Sequence, residues 1–183
     1  MKTRSLVASA LVALVFLSPV AMGQPLQAKP AFDDGWEKGR ETGLPVPRFV
    51  SLKARSANLR IGPSTDYATA WVYSAQGLPL EITGEYGNWR RVRDADGTSG
   101  WMFAPLLSSK RTAVIGPWLK QPIPLRSAPS RTARIVARLL PEVRLDLMTC
   151  DGTWCKANLQ KERLRGYVQQ GSLWGVYPDE TIE

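Results

Sequence analysis

Few residue types in this chain could do chemistry. With no histidine and two cysteines among 183 residues, a nucleophile served by an imidazole base is excluded, and so is a zinc site, for lack of ligands. Acid–base work by paired carboxylates has two candidates, Asp94 with Asp96 and Asp33 with Asp34. The first pair falls in a predicted hairpin turn and the second in a Pro-rich stretch, where solvation keeps carboxyl groups ordinary and a structural role is the simpler reading. No glycine loop leads into a helix to cradle phosphate. Aromatic side chains remain. Tyr67, Tyr86 and Trp89 come from two polar connections and could grip a peptide or a sugar, while Trp71, Trp101 and Tyr167 on predicted strands read as core. Such a set can bind and has little means to catalyse. No catalytic residue and no cofactor are expected.

The ends of the chain bound the compartment. Lys2 and Arg4 precede an apolar run from Leu6 to Leu17, then Pro19 and the small residues Ala21 and Gly23. This is the layout of a signal peptide covering residues 1–23, cleaved after about Gly23, with an uncleaved membrane helix as the competing reading. Cleavage leaves no membrane-spanning stretch, and the expected location is periplasmic or secreted. Export removes nucleic acid from the expected partners. The basic balance, +8 for the full chain, then points to anionic envelope polymers or to solubility. In an oxidising compartment Cys150 and Cys155 read as one disulfide. They bracket Asp151-Gly152-Thr153-Trp154, a loop that sets its flanks opposite one another. So short a loop contributes about 2 kcal/mol on the chain-entropy model.

The elements that position these residues come from a repeat. Leu59-Arg60 followed by Pro63-Ser64 recurs about 66 residues later as Leu125-Arg126 followed by Pro129-Ser130; Trp89 is matched by Trp154 and Gly100-Trp101 by Gly166-Tyr167. Residues 24–48 read as a Pro-rich extended leader with at most a short helical turn around Trp36. The two copies then occupy 49–111 and 112–176, and 177–183 is an acidic tail. Short runs rich in Val, Ile, Leu, Tyr and Trp, broken by turn residues, predict small antiparallel barrels. In the first copy strands are expected at 50–54, 69–73, 79–84, 89–93 and 99–103. Leu80, Ile82 and Val92 should point inward and Glu81 and Thr83 outward, with a tight turn at Asp96-Gly97 and a helical turn at 104–107.

Leu44-Pro45-Val46-Pro47-Arg48-Phe49-Val50, Asn58-Leu59-Arg60, Gly62-Pro63-Ser64, Trp89-Arg90-Arg91-Val92 and Gly100-Trp101 resemble the first domain of exported tandem proteins of the bacterial SH3-like domain family in Gram-negative bacteria. Cys150 to Cys155 and Leu173-Trp174-Gly175-Val176-Tyr177 resemble their second domain. The resemblance implies an all-β chain of two tandem SH3-like barrels, and places Tyr67, Tyr86 and Trp89 beside a shallow binding groove. It implies a non-catalytic protein of the cell envelope that recognises peptidoglycan peptide or glycan. The alternative is a scaffold for an extended segment of another envelope protein. Residues 44–47 of the leader could also occupy the groove.

The copies differ on their surfaces. Ala133 replaces Tyr67 and Asp151-Gly152 replaces Tyr86-Gly87, so the groove of the second copy reads as dismantled. That copy gains Arg131, Arg134, Arg138, Arg144, Lys156, Lys161, Arg163 and Arg165, which form a basic surface if several share a face and a scattered, solvated set otherwise.

Overall fold

The computed structural model describes residues 36–159 and 163–183. The signal-peptide reading, the leader before Trp36 and Lys161 lie outside the described residues. Among those residues, no helix is long and apolar enough to cross a membrane.

A small hairpin comes first, β1 (Glu37–Lys38) with β2 (Pro45–Val46). The first copy follows as β3 (Arg48–Leu52), β4 (Ala57–Arg60), β5 (Thr69–Tyr73), β6 (Pro79–Tyr86), β7 (Trp89–Arg93), β8 (Ser99–Phe103), a 3-10 turn at Ala104–Leu106 and β9 (Leu107–Ser108). The second contains β10 (Thr112–Ile115), β11 (Ile123–Arg126), β12 (Ile135–Leu139), β13 (Arg144–Asp151), β14 (Trp154–Leu159), β15 (Leu164–Gln169), a 3-10 turn at Gln170–Ser172, β16 (Leu173–Trp174) and β17 (Thr181–Ile182). The first sheet runs β5-β4-β8-β7-β6-β3-β9, and the second β12-β11-β15-β14-β13-β10-β16 with β17 added on β13. Strand for strand, these are the same antiparallel topology. Bulges recur at matching places, between Leu59 and Arg60 and between Leu125 and Arg126, then between Ile82 and Gly84 and between Leu147 and Thr149. A bulge adds local twist, and this repeated pair helps curl each sheet around its own core.

Alternation on the strands fills those cores. Leu52, Leu59, Leu80, Ile82, Val92 and Met102 pack in the first copy; Ile115, Leu125, Leu145, Leu147, Ala157 and Val168 pack in the second. The inward assignment of Leu80, Ile82 and Val92 holds. Three of the five expected strands, 69–73, 89–93 and 99–103, are met residue for residue. The turn at Gly97 uses a positive φ of 87°, as an Asp-Gly hairpin requires. Asp94 is structural: it accepts the Tyr73 hydroxyl at 2.7 Å and the backbone N–H groups of Asp96 and Thr98. Burial foremost, and then that bond, push the Tyr73 phenol up.

Glu81 departs from its expected solvent position. It is 3% exposed because its outward face meets the second copy. Arg93 donates to it, and the Tyr177 hydroxyl donates to it at 2.9 Å. Burial, and next the Glu81 charge, raise the Tyr177 phenol well above its usual range. Around this polar centre Phe49 packs on Trp174 (centroids 5.1 Å apart) and on Tyr177 (4.6 Å), Trp36 meets Tyr177 edge-on, and Arg93 lies over Trp174. Arg111, where the first copy ends, pairs with Glu180 of the tail, while Lys110 pairs with Asp146 of the second copy.

Two chain segments outside the repeat also differ from expectation. The leader makes no helical turn at Trp36. Its β1–β2 hairpin is anchored on the buried carboxylate of Glu85, which accepts the Thr42 hydroxyl (2.7 Å), the N–H groups of Glu41 and Thr42, and Arg48 (2.7 Å), with Arg90 at 3.6 Å. Burial alone would raise this group; the hydrogen bonds from Thr42, Arg48 and the two N–H groups outweigh it and hold the pKa at about 2. The acidic tail is likewise part of a sheet, with Ile182 opposite Cys150 and Thr181 opposite Asp151.

Candidate functional site

The residues that define the repeat are architectural. Leu59 and Leu125 are fully buried, and Gly100 and Gly166 are glycine because a Cβ there would lie 2.7 and 2.8 Å from the Cγ of those leucines and 2.8 and 2.6 Å from the Arg60 and Arg126 carbonyl oxygens. Arg60 donates to the Tyr67 carbonyl at 2.6 Å and Arg126 to the Ala133 carbonyl at 2.7 Å. Inside each loop so fastened, the N–H of Ser64 bonds Gly62 and that of Ser130 bonds Ala128. The Leu-Arg and Gly-aromatic pairs thus fasten a loop, and the arginine of each copy lines a cleft beside it.

In the first copy that cleft, about 560 Å³, runs between the loop and the outer face of β7 and β8, with Asn58, Thr65, Trp89, Phe103 and Leu106 among its lining. Cross-strand register puts Trp89 between Tyr86 and Phe103 on one sheet face, and the Trp89 and Phe103 rings stand 5.6 Å apart. Of the three residues singled out by sequence, only Trp89 lines the cleft. Tyr86, 57% exposed, extends the aromatic row beyond it, and Tyr67 sits in the fastened loop with its ring over Gly62. Phe103, 39% exposed, was missed. The signal was present in β8, where inward Gly100 and Met102 leave Trp101 and Phe103 facing out. The core assignment of Trp71, Trp101 and Tyr167 needs correction. Trp71 is 58% exposed on edge strand β5, and Trp101 and Tyr167 are half-buried on outer sheet faces, Trp101 beside Arg60 and Arg91, Tyr167 beside Arg126 and Lys156.

The second copy does not lose its groove. A cleft of about 330 Å³ occupies the same place, with Pro124 where the first has Asn58, Arg131 for Thr65, Trp154 for Trp89, Gln169 for Phe103 and Ser172 for Leu106. What was dismantled is the aromatic row. Asp151 at the hairpin accepts the N–H groups of Thr153 and Trp154, and those bonds hold its carboxyl below the usual range.

The basic residues fall at several places around the second copy. Arg131 lines the second cleft and Arg134 lies in the same loop. Arg138 stands opposite Pro124 on β12, and Lys156 and Arg165 share the outer face around Tyr167. Arg163 is exposed at the β14–β15 turn, and Arg144, the first residue of β13, lies against Gly77 of the first copy. Residues 44–47 are not part of the first cleft's lining; they belong to the hairpin held by Glu85. The disulfide joins Cys150 and Cys155, which are register partners with Cα atoms 4.1 Å apart. Among the described residues no group of three or more His, Cys, Asp or Glu side chains could hold a metal ion.

No curated protein matches the chain. Among solved structures it is similar to NlpC2 from Trichomonas vaginalis (15% identity, TM-score 0.32, 70% of this chain and 48% of that one). It is also similar to an NlpC/P60 family protein from Bacillus cereus ATCC 10987 (12% identity, TM-score 0.31, 69% and 55%). The chain spans about half the length of these structures. A family profile described as bacterial SH3 domain matches residues 53–109 and again 120–175. Two matched segments, two sheets of one topology and one loop architecture built twice agree: the chain belongs to the bacterial SH3 domain family.

Proposed function

We propose that this is a non-catalytic binding protein of the cell envelope, exported by a signal peptide ending at about Gly23, whose first cleft takes peptidoglycan peptide or glycan. The observation that carries the reading is the row Tyr86–Trp89–Phe103, three aromatics held on a rigid sheet face and open to solvent along a polar-walled cleft. Rigid aromatic faces bind sugar rings and peptide planes with little ordering cost. Membership of a family whose domains bind cell-wall components supports it. Retention of the mature protein on purified sacculi tests it. The wild type should be retained and Trp89→Ala, whose side chain is only partly buried, should be released; failure of the wild type to bind at low salt refutes the reading.

A second reading is favoured by β5, whose residues Thr69 to Val72 are exposed at a sheet edge with Trp71 and Val72 open. An extended segment of another envelope protein could add to that edge as a strand. Crosslinking in intact cells from a probe at Trp71 would capture that protein; capture of cell-wall material from Trp89 instead would favour the first reading.

A further inference from the structure

The second cleft keeps the place, the indole wall and the loop-fastening arginine of the first, Arg126 for Arg60, and gains one charge and two polar groups. Thr65 becomes Arg131, Phe103 becomes Gln169 and Leu106 becomes Ser172. Arg126 is occupied with the Ala133 carbonyl and so holds the loop that carries Arg131. Arg131 itself is exposed and has no ion pair among the described residues. Trp154, 9% exposed, is fixed between β13 and β15 and presents a rigid wall. Pro124 lines the slot with it, and Gln169 and Ser172 supply a donor and an acceptor of the kind a peptide backbone needs. The nearest acid on this hairpin, Asp151, has its carboxylate engaged by two backbone N–H groups.

We infer that the cleft of the second copy is a binding site in its own right, for an extended acidic peptide whose carboxylate pairs with Arg131 while its backbone lies along Trp154, Gln169 and Ser172. A guanidinium meets a carboxylate through two parallel N–H donors, and this cleft offers Arg131 in addition to loop-fastening Arg126, where the first has only loop-fastening Arg60. The two clefts therefore select different chemistries, and the second does not depend on what the first binds.

The test is a titration of the full mature chain with a short oligoglutamate peptide, following the indole N–H resonance of Trp154, identified with Trp154→Phe. The Trp154 signal should move while that of Trp89 stays. The matching oligoglutamine peptide should bind about tenfold more weakly, the usual scale for one exposed charge-assisted contact. Arg131→Thr, which installs the first copy's residue at an exposed position, should cause a similar loss, and Arg144→Gln, beside Gly77, should cause none. Conversely, Thr65→Arg should confer acidic-peptide binding on the first cleft, with the Trp89 signal now responding. Equal losses in Arg131→Thr and Arg144→Gln would reveal a diffuse polyanion effect and overturn the inference, as would an unmoved Trp154 signal. Failure of sacculus binding would leave this result untouched, because Trp89→Ala does not alter the second cleft.

Discussion

Glu85→Gln is the substitution whose consequence the structure specifies most fully. The carboxylate is buried, yet four hydrogen bonds and a second arginine hold it ionised, lowering its pKa from the ordinary 4.5 to about 2. That difference corresponds to about 3 kcal/mol of stability supplied by the ionised form. Because the folded state binds this proton less readily than the unfolded state, the contribution is complete above about pH 4.5 and is lost as pH falls through 4.5 towards 2. Urea unfolding of wild type and variant, followed across this range, should show a gap of about 3 kcal/mol at neutral pH that narrows steadily in acid. Taking the difference between the two proteins removes the parallel contribution of Asp151, whose pKa is lowered as well. At neutral pH the amides of Glu41 and Thr42 should exchange faster in the variant, because their acceptor has lost its charge. A gap that stays constant down to pH 2 would show that ionisation of Glu85 is not what matters. A gap below about 1 kcal/mol at neutral pH would refute the anchoring role.

Replacing Cys150 and Cys155 by alanine should cost about 2 kcal/mol in urea unfolding and expose the tail first to proteolysis, since β17 pairs with β13 at Cys150; an unchanged midpoint would count against it. Tyr177→Phe, which deletes the hydroxyl donated to Glu81, should cost about 1 kcal/mol or somewhat more, read by the same unfolding curves. Phe49→Ala should cost about 3 kcal/mol and, by removing both ring contacts across the junction, should separate one calorimetric transition into two. Gly100→Ala, and Gly166→Ala in the second copy, should each destabilise by about 1–3 kcal/mol in urea unfolding, because the added methyl meets a leucine and a carbonyl oxygen that are already packed.

Alternation and turn chemistry made much of each sheet legible, because inward leucines and an Asp-Gly turn act locally. They give which side of a strand a residue takes and are silent about what covers the outer side. Glu81 was correctly placed outward, yet it is buried because Tyr177, distant in sequence, closes over it. Trp71 fails for the opposite reason: an apolar type on a strand suggests core, but β5 is an edge left uncovered. Strand β4 is too short to announce itself, because just Ala57 and Leu59 carry its alternation. The leader and tail have no periodicity at all, and the hairpin of the one and the strand of the other are held by distant partners, Glu85 for the leader and β13 for the tail. In the site, Trp89 was legible as an aromatic after a turn. Phe103 needed the register of β7 against β8, and the second cleft needed both copies superposed strand by strand.

That superposition explains why the copies are stapled differently. Cross-strand partners Glu85 and Arg90 at the end of the first hairpin stand where Cys150 and Cys155 stand in the second, as Tyr86–Trp89 stands where Asp151 and Trp154 do. One inward position thus holds an ion pair in the first copy and a disulfide in the second, and at each a segment outside the repeat closes the barrel end: the leader on Glu85, the tail on Cys150. A barrel of about 60 residues is near the lower limit for independent stability, so closure from outside the unit supplies burial the repeat lacks. The same two segments bring Trp36 against Tyr177 and Tyr177 against Phe49, so the parts that complete the barrels also lock one to the other. Two clefts of different chemistry are then held at a fixed spacing. A ligand that reaches both gains the effective concentration of an intramolecular second contact, and loosening the junction at Phe49 should lower that gain without touching either cleft.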